Sequence, residues 1–291
     1  MSPYVADPVY LNGRFLPLAE AGVSPLDRGF LYGDGVYEVI PVYSRRGFRL
    51  DEHLGRLQAT LNGIALPNPL SLAAWRAVVE QLIAAAPWDD QSIYLQVTRG
   101  ADNKRDHAFP PPEVPPTVFA YAGPLVTPDA ATRARGVAAI SVPDLRWSRC
   151  DLKVISLLPN VLARQLAVAQ GCAEALLIRD GYLKEGAASN IFVVRDGILL
   201  APPKTHLMLP GITYDVILEL AERHGQPLEI REISEAELRG ADEVWMTSST
   251  KEVLPIVTLD GQPVGSGTPG PLAAQMWQYY QDFKNSVMRQ G

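Results

Sequence analysis

The stretch Arg149-Cys150-Asp151-Leu152-Lys153 holds the residue whose type and setting first point to chemistry, the lysine. Lys153 lies between an apolar, strand-like run (Val137 to Val142) and an amphipathic segment (Val161 to Gly171). That pattern predicts a strand-to-helix junction inside a core. Lysines are rarely buried without a partner, and one held out of water tends to give up its proton and become a nucleophile. The competing reading is a lysine whose stem packs while its head reaches water. Other stretches offer such an amine company. Lys184-Glu185-Gly186-Ala187-Ala188-Ser189-Asn190 sets a carboxylate among small residues that let a flat ligand approach. Gly211-Ile212-Thr213 opens a helix whose free N–H groups suit a phosphate. Thr247-Ser248-Ser249-Thr250 ends a strand in four hydroxyls, a second candidate phosphate contact. Arg105-Asp106-His107 reads either as a carboxylate-binding tip or as a solvated loop. Tyr37 could point into a cavity or be a half-buried sheet residue, and Arg56 on its own reads as a surface charge.

The elements that must position these groups follow from periodicity. Val9-Tyr10-Leu11, Asn12-Gly13 and Arg14-Phe15-Leu16 predict a short hairpin. A polar, Gly-rich loop from Ser24 to Gly35 runs into a strand over Val36 to Tyr43. There Val36, Glu38, Ile40 and Val42 share one face, and Tyr37 and Val39 the other. Asp51 is the expected N-cap of a helix with Leu54, Leu57, Leu61 and Ile64 on its buried stripe, and His53 and Arg56 fall off that stripe. Ser71 caps a second helix, with Trp75, Val78, Val79, Leu82, Ile83 and Ala86 at the helical period. The strand Ser92 to Arg99 opens into a long loop, Gly100 to Pro116, before a strand over Thr117 to Gly123. Pro124 to Gly136 reads as a linker. Beyond it come a helix from about Pro159-Asn160 to Gly171 and antiparallel strands with Asp-Gly turns at Asp180, Asp196 and Asp260. A helix from Ile212 to Gly225, a capping box at Ser234-x-x-Glu237 and a closing helix from Pro271 to Met288 complete the chain.

At 291 residues the chain is comfortable for two domains. Its 47% hydrophobic and 20% charged residues suit a chain with a large core, and a formal charge of −6 argues against a broad nucleic-acid or anionic-membrane surface. No run of roughly 18 apolar residues predicts a membrane span. The first residues lack the basic-then-apolar pattern of a signal peptide. Cys150 and Cys172 make neither a disulfide framework nor a metal motif, so a cytoplasmic chain without a metal is expected.

Four motifs, taken in order, carry a resemblance. They are Asp27-Arg28-Gly29-Phe30 with Gly33-Asp34-Gly35-Val36-Tyr37-Glu38, Arg149-Cys150-Asp151-Leu152-Lys153, Glu185-Gly186 with Ser189-Asn190, and Gly211-Ile212-Thr213. Together they resemble the fold-type IV pyridoxal-phosphate enzymes, the group holding D-amino acid aminotransferase, branched-chain aminotransferase and aminodeoxychorismate lyase. The resemblance runs from Tyr10 to the closing helix. It implies an α+β fold of two domains: a small N-terminal α/β domain over 1–122, a linker over 123–135, and a larger C-terminal pseudo-barrel domain with helices over 136–291. It implies pyridoxal 5'-phosphate as cofactor, with Lys153 forming the Schiff base to its aldehyde and then moving the proton at the substrate Cα. Glu185 would keep the pyridine nitrogen protonated, and Leu209 would pack on the ring. Arg56, the N–H groups of Ile212 and Thr213, and a hydroxyl of Ser248 or Ser249 would grip the phosphate.

Within the group, Arg105 and His107 match the D-amino acid enzymes, in which such a pair from the other subunit joins the active-site tyrosine, here Tyr37, on the substrate carboxylate. The implied activity moves the amino group of a D-amino acid, of the D-alanine or D-glutamate type, to 2-oxoglutarate or pyruvate in a homodimer. Two departures stand out. The Arg105 loop is about one residue longer than the D-enzyme pattern. Ala187-Ala188 replaces the serines more often found there, removing two hydroxyls from the cofactor neighbourhood and about 1 kcal/mol of hydrogen bonding. The alternatives are a branched-chain L-amino acid aminotransferase, which would lack the basic pair, and a lyase that eliminates pyruvate. Outside the group stand a phosphate-ligand binding protein without turnover and a scaffold protein.

Overall fold

Alternation in the first part of the chain builds a six-stranded antiparallel sheet. Its strands are β1 (Val9–Leu11), β2 (Arg14–Leu16), β3 (Gly35–Tyr43), β4 (Arg46–Gly47), β5 (Gln91–Thr98) and β6 (Thr117–Pro124), in spatial order β2-β1-β6-β5-β3-β4. The structure is a computed structural model, and it describes residues 4–290. Three helices accompany the sheet: α1 (Arg28–Tyr32), α2 (Leu50–Gly63) and α3 (Leu72–Ala85). Val36, Ile40, Ile93, Leu95, Val97 and Ala120 form one core with Leu54, Leu57 and Leu61 of α2 and Trp75, Val79 and Leu82 of α3. Each large side chain buried there contributes on the order of 2 kcal/mol. The opposite face of the sheet carries a ladder of rings, Tyr37, Tyr94 and Tyr121, with successive centroids 5.8 and 5.2 Å apart.

Ser71 caps α3 as its sequence predicts, accepting from the Ala74 N–H at 3.2 Å. The cap of α2 differs from expectation. Arg49, in the left-handed region, precedes the helix, and Asp51 sits in the first turn, where its charge suits the helix dipole.

The chain divides into two compact units, and their membership corrects the expected boundaries. The first unit is Met1–Leu125 together with Leu152–Leu157 and Met288–Gly291. Lys153 therefore belongs to the unit of β3, whereas the sequence reading put it in the second domain. Leu152 and Val154 enter the first core, and Val154 bridges to Val36 of β3. The Val154 N–H donates to Leu152 O at 3.0 Å across Lys153, a tight turn that leaves Lys153 half-buried between two core residues.

The second unit, Val126–Asp151 with Leu158–Val287, is built on a larger sheet. In chain order it contains α4 (Ala130–Arg135), β7 (Val137–Pro143), α5 (Leu158–Ala169), β8 (Glu174–Arg179), β9 (Tyr182–Gly186), β10 (Asn190–Arg195) and β11 (Ile198–Ala201). There follow α6 (Ile212–Arg223), β12 (Leu228–Ile230), β13 (Ile233–Ser234), α7 (Glu235–Arg239), β14 (Glu243–Ser248), β15 (Glu252–Leu259), β16 (Gln262–Pro263) and α8 (Pro271–Phe283). The strands run β12-β11-β10-β14-β15-β7-β8-β9-β13, with β16 beside β15.

The three Asp-Gly turns close hairpins as predicted. Asp180, Asp196 and Asp260 have φ of 53°, 51° and 51°, and each is followed by a glycine at positive φ. That is the pair of left-handed residues a tight two-residue hairpin turn requires. The sheet is mixed, however, rather than antiparallel throughout. β7 runs parallel to both β8 and β15, and β11 parallel to β12. The chain between β7 and β8 contains α5, and that between β11 and β12 contains α6, the kind of crossover parallel neighbours need. The expected linker over 123–135 contains α4, capped by Asp129, whose carboxylate accepts from the Thr132 N–H at 2.7 Å.

Candidate active site

Lys153 is half-buried rather than sunk in a core. Its carbonyl accepts from the Tyr37 N–H at 3.0 Å, and the Ile155 N–H donates to Gly35 O at 3.0 Å. Two backbone bonds thus fix the lysine against β3. Its Nζ lies 4.1 Å from the centre of the Tyr37 ring, so the amine sits against an aromatic π face.

On the core face of the same strand lies a group that sequence reasoning missed. Glu38 is fully buried, with its Oε2 2.6 Å from Nδ1 of His53. Arg56 donates from Nε to Oε1 at 2.7 Å and from Nη2 to Oε2 at 3.0 Å. Burial works against the charged carboxylate, but the Arg56 charge and the His53 hydrogen bond outweigh it and hold Glu38 at about 2. Burial pushes the His53 pKa down, and a neutral His53 donates from Nδ1 to Glu38. Its Nε2 is then a buried acceptor with no hydrogen-bond partner among the described residues. Arg56 and His53 are therefore neither surface charges nor outside the buried side of α2. The available signal was Glu38 itself, a carboxylate at an inward position of an apolar strand.

Arg105 and His107 are both exposed on the loop between β5 and β6. Each lies 5.3 Å from the Tyr32 ring, measured from the guanidinium carbon and from the imidazole centroid.

In the second unit, Glu185 stands on β9 itself, not in the connection the sequence suggested, and is buried. Arg146 Nη1 donates to its Oε1, and the Leu209 N–H approaches both oxygens, at 3.2 and 3.3 Å. Arg146 also grips Asp144 through Nε and Nη2, both at 2.9 Å, and Asp144 meets Arg179 at 3.2 Å. Burial pushes Glu185 up to about 7, opposed by Arg146 and the Leu209 N–H.

Leu209 ties the carboxylate to the start of α6, since its carbonyl accepts from Asn190 Nδ2 at 3.0 Å. Gly211, the N-cap of α6, has no side chain with which to cap the N–H groups of Ile212 and Thr213 in the first turn. A Cβ on Gly211 would collide with Asn190 Oδ1. Ser248 Oγ accepts from the Lys251 N–H at 3.1 Å within the β14–β15 turn, which also carries the half-buried Ser249. Ala187 packs in a core cluster with Ile140, Ala163, Ala167 and Leu177, so its missing hydroxyl is a core feature, whereas Ala188 is exposed.

Residues 35–259 match the family model described as Amino-transferase class IV. The chain belongs to that family. The aminotransferase is 41% identical to a D-alanine aminotransferase of Bacillus licheniformis, over 91% of this chain and 92% of that one. It is 37% identical to a D-alanine aminotransferase of Staphylococcus aureus (strain MW2), over 96% and 98%. Among solved structures it superimposes on a T.th. branched-chain amino acid aminotransferase with pyridoxamine 5'-phosphate. That match has a TM-score of 0.88 and 29% identity, covering 98% of this chain and 95% of the other. The branched-chain amino acid aminotransferase of Escherichia coli matches with a TM-score of 0.85 at 27% identity, over 98% and 96%.

The aminotransferase is thus a pyridoxal-phosphate-dependent transaminase of fold-type IV. Each unit carries groups that suit that cofactor, the first an amine at Lys153 and the second a buried carboxylate at Glu185 and the N–H groups at the start of α6. Among the described residues no helix is long and apolar enough to cross a membrane.

Proposed function

We propose that this aminotransferase takes the amino group from a D-amino acid of the D-alanine or D-glutamate type and gives it to a 2-oxo acid, 2-oxoglutarate or pyruvate. The observation that carries the reading is the Arg105 and His107 pair, exposed on the loop after β5, in a chain whose curated relatives include D-alanine aminotransferases. Arg105 and His107 supply positive charge and donors for the substrate carboxylate, and Tyr37 lines the substrate side. When bound, pyridoxal phosphate supplies an aldehyde to receive the amino group and a cationic ring that draws electrons from the substrate Cα. Lys153 would hold the cofactor and would move the proton at the substrate Cα. Arg146 and the Leu209 N–H keep the Glu185 carboxylate in place, and it would hold the protonated pyridine nitrogen. Arg56, the N–H groups of Ile212 and Thr213, and Ser248 or Ser249 would hold the phosphate, and Leu209 would pack on the ring. With the carboxylate at Arg105 and His107, a D-amino acid turns its Cα hydrogen toward Lys153.

A homodimer fits two features. Arg105 and His107 face outward, as they would to serve a neighbouring subunit. Leu158, Val161, Leu162 and Leu166 also form an apolar stripe on α5, each more than half exposed. Two free cysteines suit a cytoplasmic location.

The test is a half-reaction series. Holoenzyme is mixed with D- and L-alanine, D- and L-glutamate and L-leucine, and the absorbance of the bound cofactor is followed. Conversion by the D-acids is expected, and faster conversion by L-leucine would transfer the chain to the branched-chain activity. Arg105→Ala should raise KM for D-alanine by about 10- to 100-fold while the cofactor spectrum stays unchanged, since it removes a charge partner of the substrate only. An unchanged KM would place the carboxylate elsewhere.

A further inference from the structure

The loop that carries Arg105 and His107 is held by buried charges that play no part in the chemistry above. Arg28, on α1, is 4% exposed. Its Nη1 donates to Asp106 O at 2.7 Å and to Ala108 O at 3.0 Å, and its Nη2 to His107 O at 3.3 Å. Its Nε donates to Asp34 Oδ2 at 2.8 Å, and its backbone N–H to Gly100 O at 2.8 Å. Asp34 also receives Arg99, whose Nε lies 2.9 Å from Oδ2 and 3.1 Å from Oδ1. Arg99 Nη1 and Nη2 donate to the carbonyls of Ala65 and Ile64 at 3.0 and 2.8 Å, and its guanidinium lies 3.8 Å from the Phe109 ring centre. Asp27 secures the far end of the loop, its Oδ2 accepting from the Thr117 hydroxyl at 2.6 Å.

The loop is thus gripped at its start, its tip and its end by Asp27 and Arg28. Three consecutive carbonyls, those of residues 106 to 108, converge on one guanidinium. A buried guanidinium is costly unless its donors are matched, and here the matched acceptors are the backbone of the segment presenting Arg105 and His107. Without Arg28 those carbonyls turn to water and the tip loses its fixed path.

We propose that Arg28 is a positioning residue for substrate binding, fixing the loop tip so that Arg105 and His107 meet the substrate carboxylate pre-organised. The role rests on the carboxylate reading of Arg105 and His107 given above. Asp34 orients Arg28, and the planar fork is what the task requires. A lysine can keep the Asp34 charge contact but not three carbonyls as well.

The test uses holoenzyme carrying Arg28→Met, Arg28→Lys or Arg105→Ala, assayed with D-alanine. Both Arg28 variants should raise KM by about tenfold or more with kcat within about twofold, Arg28→Lys less than Arg28→Met. Trypsin should cut after the exposed Lys104 and Arg105 roughly tenfold faster in the Arg28 variants than in the parent, because the tip no longer has a fixed path. A merely structural role would lower the melting temperature and leave the KM-to-kcat split untouched. If Arg28→Met does not fold, Arg28→Lys, which keeps the buried charge, decides by the same two readouts. Unchanged KM or unchanged cleavage in the Arg28 variants, alongside a raised KM in Arg105→Ala, overturns the positioning role alone. Unchanged KM in Arg105→Ala overturns the carboxylate reading and the positioning role with it.

Discussion

Glu38 and Glu185 are both buried, yet their neighbours drive them in opposite directions. Glu38 is held at about 2, against an ordinary 4.5, by Arg56 and His53 in spite of burial. A carboxyl whose folded value is depressed stabilises the fold above its unfolded value and loses that contribution as pH falls through the folded value. The window is pH 4.5 to about 2, and the amount is roughly 3 kcal/mol. His53, lowered by burial, acts in the same direction, beginning as pH drops below 6.5. The urea midpoint of the apoprotein should therefore fall on acidification, and Glu38→Gln should flatten the part below pH 4.5. Parallel curves for the two proteins would show that the pair stabilises nothing. Glu185, raised to about 7, has the opposite sign, its contribution declining as pH rises from 4.5 through 7. Glu185→Gln should lower kcat by on the order of 10²-fold in steady-state assays, because an amide cannot hold a proton on a ring nitrogen. A kcat within twofold of the parent would remove Glu185 from the chemistry.

The start of α6 works as an element. Gly211 packs so closely on Asn190 that a side chain there must displace it, and Asn190 in turn holds the Leu209 carbonyl. Gly211→Ala should weaken pyridoxal phosphate binding by about tenfold, while pyridoxal lacking the phosphate loses less. Fluorescence titration of the apoprotein with both ligands separates the cases, and equal losses would locate the damage in the Glu185 contact. The hairpins need no such long-range support. Asp180-Gly181, Asp196-Gly197 and Asp260-Gly261 each specify their turn through two adjacent residues.

At the scale of the molecule, the stripe on α5 is the feature that most needs a cover. Leu158, Val161, Leu162 and Leu166 lie at helical spacing on the side away from the buried Ala163 and Ala167. Leu162→Glu should yield a monomer on size-exclusion chromatography with most activity lost, since the Arg105 loop would have no neighbour to serve. A fully active monomer would sink the homodimer.

The sequence by itself determined the strand faces, the tight turns, the Ser71 and Ser234 caps, and the motifs that mark Lys153, Glu185 and Gly211. These depend on residues a few positions apart, whose periodicity and turn chemistry act before the chain has folded. Only the tertiary structure decided which unit Lys153 joins, which strands run parallel, and which groups His53, Arg56 and Arg28 pair with. His53 and Arg56 meet Glu38 across 15 and 18 residues, and Arg28 meets its carbonyls across 78 to 80. A charge reads as surface in a local window, because burial becomes tolerable only when a distant partner offsets its desolvation.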